Sequence, residues 1–382
     1  MEQIFLTEID VLQLRHLKNI KIKLSQDKMK HLILTGVNGC GKTTLLDEIS
    51  RQVGVHGWGF AGSTWKQFDL GMSSDKIKIG SSLSNDTDGK KLYKLYEKGE
   101  FVQIYFPSDR KFEISKSKMV EAVDISLVKS PTEKMNYLFG QLLIYMYFKK
   151  LIAMENGKKE ELEDIERWFI WLEKALGELF GDKQLKLELS LENMCFKIKL
   201  PNREAFGLDE MASGYAALFH IFSEIVIRME QQAHLRYDLP GIVLIDEIEM
   251  HLHISWQKKI LPFLIKAFPN LQFIVATHSP FVVSSIESAV VYDLEKNIQV
   301  ENLSEYSYDC LVNSLFDTSM YSNKKKKKYK RYIELVEKKD SRNEIEDYEL
   351  IELINYFKSI PIFMAKDIIL DFKKTERERQ NG

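Results

Sequence analysis

The chain has 382 residues, with 54 Lys+Arg against 56 Asp+Glu and a formal net charge of -2. Hydrophobic residues make up 45% and charged residues 29%, a globular composition that excludes wholesale disorder. The near-neutral balance gives no global pull toward nucleic acid or membrane, so any such binding must come from a local patch.

In chain order, the first 30 residues read as β. Ile4, Leu6, Ile9 and Leu12 stand among polar residues, and Ile20 to Leu24 alternates strictly, which predicts a hairpin joined near His16–Asn19. His31–Thr35 is a short buried strand and Lys42–Arg51 a helix. Gly54–Asp88 is rich in Gly, Ser and Asp and predicts loops around a short strand at Lys76–Ile79. Phe101–Phe106 and Val123–Val128 are further strands. Two helices follow, Thr132–Glu155 and Glu160–Phe180; Trp168 and Trp171 on the second are expected to pack. Leu185–Ser190 with Cys195–Leu200 predicts a hairpin. Then come a helix at Ala212–Glu230, a strand at Gly241–Asp246, a helix at Ser255–Phe268 and strands at Gln272–Thr277 and Ala289–Leu294. Strands alternating with helices mean α/β with a largely parallel core sheet. The chain has no internal repeat and no long heptad stretch, and the tail from Leu303 is charged and helical.

Gly36-Val-Asn-Gly-Cys-Gly-Lys-Thr43 fits the phosphate-binding loop pattern in full, after an apolar strand and before a helix. Gly36, Gly39 and Gly41 let backbone N–H groups face phosphates, and the helix start adds a favourable dipole. Asn38, Cys40 and Thr44 complete the candidate set. Lys42 would meet the β and γ phosphates of ATP, and the Thr43 hydroxyl would ligate Mg²⁺. Cys40 is either a reactive thiol or a tolerated small residue.

Ile242–Ile245 followed by Asp246-Glu247 puts two carboxylates at the C-terminal end of a buried strand, where such sheets bind ligands. Asp246 would hold the magnesium; Glu247 would act as general base on the attacking water. Phe273–Thr277 leads into His278, a neutral imidazole able to donate to a γ-phosphate.

These three motifs in this order resemble an ABC-type ATPase head, of the kind shared by SMC and DNA-repair ATPases. The resemblance implies an α/β ABC-ATPase fold: an N-terminal antiparallel β subdomain, a parallel core sheet, a helical insertion and a C-terminal helical tail. It implies an ATPase domain over 1–300, with the insertion at about 55–205, and a charged helical region over 301–382. It also implies a signature segment acting on the nucleotide of the opposite subunit. Leu208 to Tyr215 sits in that place, and Glu247 lies 34 residues beyond Ser213. Ser213 and Gly214 keep the Ser-Gly core, while the Leu, second Gly and Gln of the family pattern are missing. Gln141 is the candidate lid glutamine; His16 is the candidate beside the adenine.

After Glu247 the chain runs Ile248-Glu-Met-His251-Leu-His253-Ile-Ser-Trp256-Gln257. This segment lacks the Pro and Leu-Asp of transporter ATPases. It resembles the pattern of OLD-like and Septu-like ATPases, found in bacterial anti-phage and retron systems. His251 and His253 beside Asp246, Glu247 and Glu249 suggest a metal cluster, but their two-residue spacing does not match the i, i+4 helical zinc signature; a segment packing at the dimer interface is expected. The resemblance covers 4–52 and 205–295. Fewer than 90 residues follow Leu294, and they contain no Asp-x-Asp, so any nuclease is expected on another chain.

The expectation is an ATP-driven switch, a homodimer or a higher oligomer, that controls a separate effector, a nuclease or toxin. A DNA-repair ATPase akin to RecF and a slow nucleotide-binding scaffold are the alternatives. Seven of the eight residues 324–331 are basic. They read as a solvated linker, or as a contact to nucleic acid or an acidic partner. Cys40, Cys195 and Cys310 lie far apart, which fits a reducing compartment. Without an apolar run of ~18 residues or a signal-peptide pattern, a cytoplasmic protein with no membrane contact is expected.

Overall fold

The computed structural model describes residues 4–53, 58–60, 65–67, 76–83, 90–108, 138–306, 308–315, 323–338, 341–360 and 366–381. The expected strand at 123–128 lies outside them, as do the first residues of the helix expected from 132. The chain forms two compact units, Met1–Leu311 and Val312–Gly382.

The first unit opens with β1 (Leu6–Leu14) and β2 (Leu17–Lys23), antiparallel, with Leu14 opposite Leu17. The turn is therefore Arg15–His16, tighter and earlier than expected, and Arg15 takes a positive φ of 53° to make it. β3 (His31–Thr35) leads into α1 (Lys42–Val53). Next come the short pair β4 (Trp58–Phe60) and β5 (Trp65–Gln67), then β6 (Lys76–Ser81), α2 (Lys90–Glu97) and β7 (Val102–Phe106). A helical hairpin follows, α3 (Phe139–Glu155) and α4 (Lys159–Phe180). Trp168 is buried on α4, and Trp171 stacks on Tyr237 with centroids 4.5 Å apart, so both pack as expected. β8 (Lys186–Ser190), β9 (Cys195–Lys199) and β10 (Phe206–Gly207) form a small antiparallel sheet. α5 (Ser213–Gln232) and β11 (Gly241–Ile245) come next.

The single helix expected at 255–268 is two: α6 (Ile254–Gln257) and α7 (Ile260–Ala267). Pro262 explains the break, because it has no N–H for the Lys258 carbonyl and its ring crowds that oxygen. β12 (Leu271–Ala276), α8 (Pro280–Val283), β13 (Ala289–Asp293) and β14 (Ile298–Glu301) complete the sheet region, and α9 (Tyr308–Leu315) follows.

The core sheet has the order β14-β13-β3-β12-β11-β7, with five parallel strands and an antiparallel edge at β14. The five parallel strands are buried along their whole length. That matches their continuous apolar runs and the cover on both faces that parallel sheets require. This is the expected α/β architecture. A second sheet, β2-β1-β6, is the expected N-terminal antiparallel subdomain. Two glutamines fasten it to the core. Buried Gln272 accepts from Leu6 N–H (2.7 Å) and donates to the carbonyls of Leu6 and Lys30. Gln299 on β14 both accepts from and donates to the backbone of Lys23.

The second unit holds α10 (Asn323–Glu337), α11 (Glu344–Ser359) and α12 (Lys366–Asn381). Their apolar faces meet around Tyr332, Leu335, Leu350, Phe357, Ile369 and Phe372. Asn343 caps α11 in a reciprocal box with Glu346. The basic block opens α10, and its cations are partly engaged. Arg331 forks onto Glu349 (3.1 and 2.8 Å), and Lys328 stands 3.7 Å from the centre of the Tyr356 ring. Lys327 and Lys330 are exposed.

His31 ties β3 to β12 through Phe273 N–H, which donates to its Nδ1 (3.1 Å). Burial lowers its pKa to about 4. The folded protein therefore stays neutral at His31 while the unfolded chain takes up a proton below about pH 6.5. Stability is complete above pH 6.5 and falls as pH drops toward 4, by about 2 kcal/mol at pH 5 from this group. His31→Asn keeps an acceptor that does not titrate. It should be less stable at pH 7 yet lose less on moving to pH 5, measured by urea unfolding at both values.

Candidate active site

The loop between β3 and α1 is built on glycines that take positive φ: 133° at Gly36, 83° at Gly39 and 105° at Gly41. Space restricts two of them as well. A Cβ on Gly36 would lie 2.8 Å from Cys40 Sγ, and one on Gly41 would lie 2.9 Å from Leu17 Cδ2 and 3.0 Å from His16 Nε2. The β1–β2 turn thus sits directly against the start of α1, which brings His16 to the loop. Lys42 is buried and folds back, donating from Nζ to Gly36 O (3.0 Å) and Val37 O (3.1 Å). Burial pushes the Cys40 thiol up, more than the Lys42 charge pulls it down. That favours the tolerated small residue over a reactive thiolate. Asn38 and Thr43 are exposed, and Thr44 is half-buried on the first turn of α1.

Asp246 follows the last residue of β11, and its N–H bonds to Phe106 O (2.9 Å). Its carboxylate Oδ2 accepts from Thr43 Oγ1 at 2.7 Å, joining residues 203 apart in sequence. A hydroxyl and a buried carboxylate at the C-terminal edge of a parallel sheet are oxygen donors suited to a hard divalent cation. At Glu247 the backbone turns left-handed, with φ 46°. This conformation is uncommon for a side-chain-bearing residue and is found at functional turns.

The turn sends Glu249 across the sheet edge to β12. Its Oε2 accepts from Thr277 Oγ1 (2.7 Å), and its Oε1 accepts from His278 N–H (2.5 Å). Ser279 N–H donates to Thr277 Oγ1 (2.9 Å), and Ser279 Oγ donates to Gln257 Oε1 (2.7 Å). The His278 pKa is lowered, first by burial and then by the Lys42 charge, against the opposing pull of Glu249, Glu247 and Asp246. The loop lysine, the acidic pair and the histidine therefore share one electrostatic neighbourhood, and His278 is held neutral.

Ser213 and Gly214 open α5. Trp256 covers this start: a Cβ on Gly214 would lie 3.3 Å from its Cδ1. Tyr215 packs edge-on to Trp256 and stacks on Phe180. Gln141 is half-buried in the first turn of α3, and among the described residues no hydrogen bond joins it to the loop or the acidic pair. His253 caps α6, its Nδ1 accepting from Ser255 N–H.

The structure thus gathers Lys42, Thr43, Asp246, Glu247 and His278 into one cluster. Glu249 and Gln257 stood in the sequence only as members of the segment beyond Glu247, with no partners assigned to them. The signal for Glu249 is its place two residues beyond Glu247, after a turn that the sequence does not announce.

Residues 215–284 match the family described as "AAA domain, putative AbiEii toxin, Type IV TA system". Septu protein PtuA of Bacillus mycoides is 26% identical over 78% of this chain and 42% of its own length. The Retron Ec83 probable ATPase of Escherichia coli is 57% identical over 25% of this chain and 18% of its own length. The SMC head domain from Thermotoga maritima superimposes with a TM-score of 0.40 at 14% identity, over 75% of this chain and 94% of that one. The resemblance to ATPases of the Septu and retron group is borne out. The chain spans less than half the length of these two curated relatives.

Gly39→Ala meets only the strain of its positive φ, since nothing lies within 4 Å of the added carbon. Gly41→Ala adds the clash with Leu17 and His16. Urea unfolding should show Gly41→Ala the weaker of the two by about 1–3 kcal/mol.

Proposed function

We propose that the chain binds and hydrolyses ATP with Mg²⁺. The hydrogen bond between Thr43 and Asp246 carries this reading. It brings the phosphate-binding loop and the acidic strand end into one oxygen donor set. Thr43 and Asp246 would hold the cation, which supplies charge neutralisation on the phosphates. The glycine-rich turn offers backbone N–H groups to the β and γ phosphates. Lys42 exchanges its two loop carbonyls for phosphate oxygens. Glu247 accepts the proton of the attacking water. His278, held neutral, donates to the γ-phosphate.

Two copies pair head to head in this reading, and the Ser213–Gly214 start of α5 reaches the nucleotide of the other copy. Pairing and hydrolysis license a separate effector protein in the bacterial cytoplasm, as part of anti-phage defence. Support for that role is the similarity to a Septu protein and a retron ATPase.

Lys42→Ala should abolish binding of a fluorescent ATP analogue at equilibrium. Glu247→Gln should bind ATP as the wild type does while turning over on the order of 10²–10⁴-fold more slowly. It should also accumulate as a dimer with ATP in light scattering. Monomeric Glu247→Gln at saturating ATP, beside a dimeric wild type, refutes the shared site.

The basic block is a solvated helix start in this reading, because Arg331 is held by Glu349 and Lys328 lies on Tyr356. Lys327→Glu with Lys330→Glu should leave hydrolysis and duplex-DNA affinity within about twofold of wild type. A salt slope lower by roughly one per removed charge would instead assign the block to phosphate contacts.

A further inference from the structure

We infer that Glu249 is a positioning residue for hydrolysis: its carboxylate fixes the peptide that carries His278 and so sets where the imidazole stands. The inference rests on the proposed role of His278 at the γ-phosphate.

The geometry begins in the backbone. After Asp246, the left-handed Glu247 starts two successive tight turns, closed by Met250 N–H to Glu247 O and Leu252 N–H to Glu249 O, each 2.9 Å. Within the first turn, Ile248 N–H bonds to Ala276 O (3.2 Å), which extends the β11–β12 ladder past the strand ends. The Glu249 side chain is thereby delivered beside Thr277.

Both of its oxygens are then used. One takes the Thr277 hydroxyl and the other takes the His278 N–H. Hydrogen bonds to a charged acceptor are about twice as strong as neutral ones. The Thr277 hydroxyl in turn accepts from Ser279 N–H, giving a polarised run from Ser279 through Thr277 to the carboxylate. On the far side, Gln257 holds Ser279 Oγ and anchors itself through Nε2 to Leu252 O (2.9 Å). The His278 peptide is clamped before and after its Cα, and the side-chain clamps from Glu249 and Gln257 both lead back to the segment that follows Glu247. General bases and γ-phosphate donors must be held within fractions of an ångström to act together, so such clamping bears on the chemical step.

Glu249→Gln keeps one acceptor but turns an NH₂ group toward the second donor. In the purified full chain, kcat should fall by about 10–100-fold, with KM and ATP-analogue affinity unchanged within about twofold. A double-mutant cycle separates positioning from general destabilisation. In a His278→Ala background, Glu249→Gln should cost less than about a further twofold. Thr277→Val, nearly isosteric, removes one of the two bonds to Glu249 together with the acceptor of Ser279 N–H, and keeps the test open if Glu249→Gln folds poorly. It should lower kcat less than Glu249→Gln, and again hardly at all without His278. Additive losses in the His278→Ala background would overturn this inference alone. Wild-type kcat in His278→Ala itself would overturn both this inference and the γ-phosphate role it rests on.

Discussion

The site depends on one constraint: the parallel strands end level. Leu34 pairs with Ala276, Ile245 pairs with Val275 and Phe106, and Thr35 pairs with Asp293. The ladder also runs one step beyond the strands, through Thr277 N–H to Leu34 O and Leu294 N–H to Thr35 O. The loop lysine, the acidic pair and the histidine leave three different stretches of chain, after β3, β11 and β12, at this shared edge. A slip of one residue in any strand would turn its side chains to the other face and scatter the cluster.

The core sheet is also braced from the side. Gln272 and Gln299 bond to backbone of the antiparallel sheet, and that sheet returns the favour by laying His16 and Leu17 on Gly41. Buried polar groups in a core are costly unless paired. Here both ends of the Gln272 amide are satisfied, so a polar residue orders two sheets without a stability penalty.

Much of this was legible in the sequence for plain physical reasons. Continuous apolar runs gave β3, β11, β12 and β13 within a residue or two, because a strand buried on both faces has no polar alternation to blur it. The phosphate loop was legible because its glycines and lysine have one common use in that context. Other elements were not expected. α2 is short and charged, and among the described side chains Leu92, Leu95 and Tyr96 turn to the core. β14 is largely exposed and gains its place from pairing with β13 and from Gln299. The break in the helix at 255–268 follows from Pro262, whose effect falls four residues upstream and is easily passed over inside an apolar helix. Glu249 needed three dimensions: its partners lie 28 and 29 residues away, and the left-handed turn that aims it has no glycine to mark it.

Trp256 and Gln257 are neighbours on a helix of four residues, yet they serve different places. Trp256 lies on Gly214, and Gln257 holds Ser279. Successive helical residues are set about 100° apart, so one rotation satisfies both contacts. Adding or deleting a single residue between Leu252 and Trp256 would swing both side chains off target at once. This stretch should therefore tolerate changes of side chain at its exposed positions, such as Ile254, far better than any change of length.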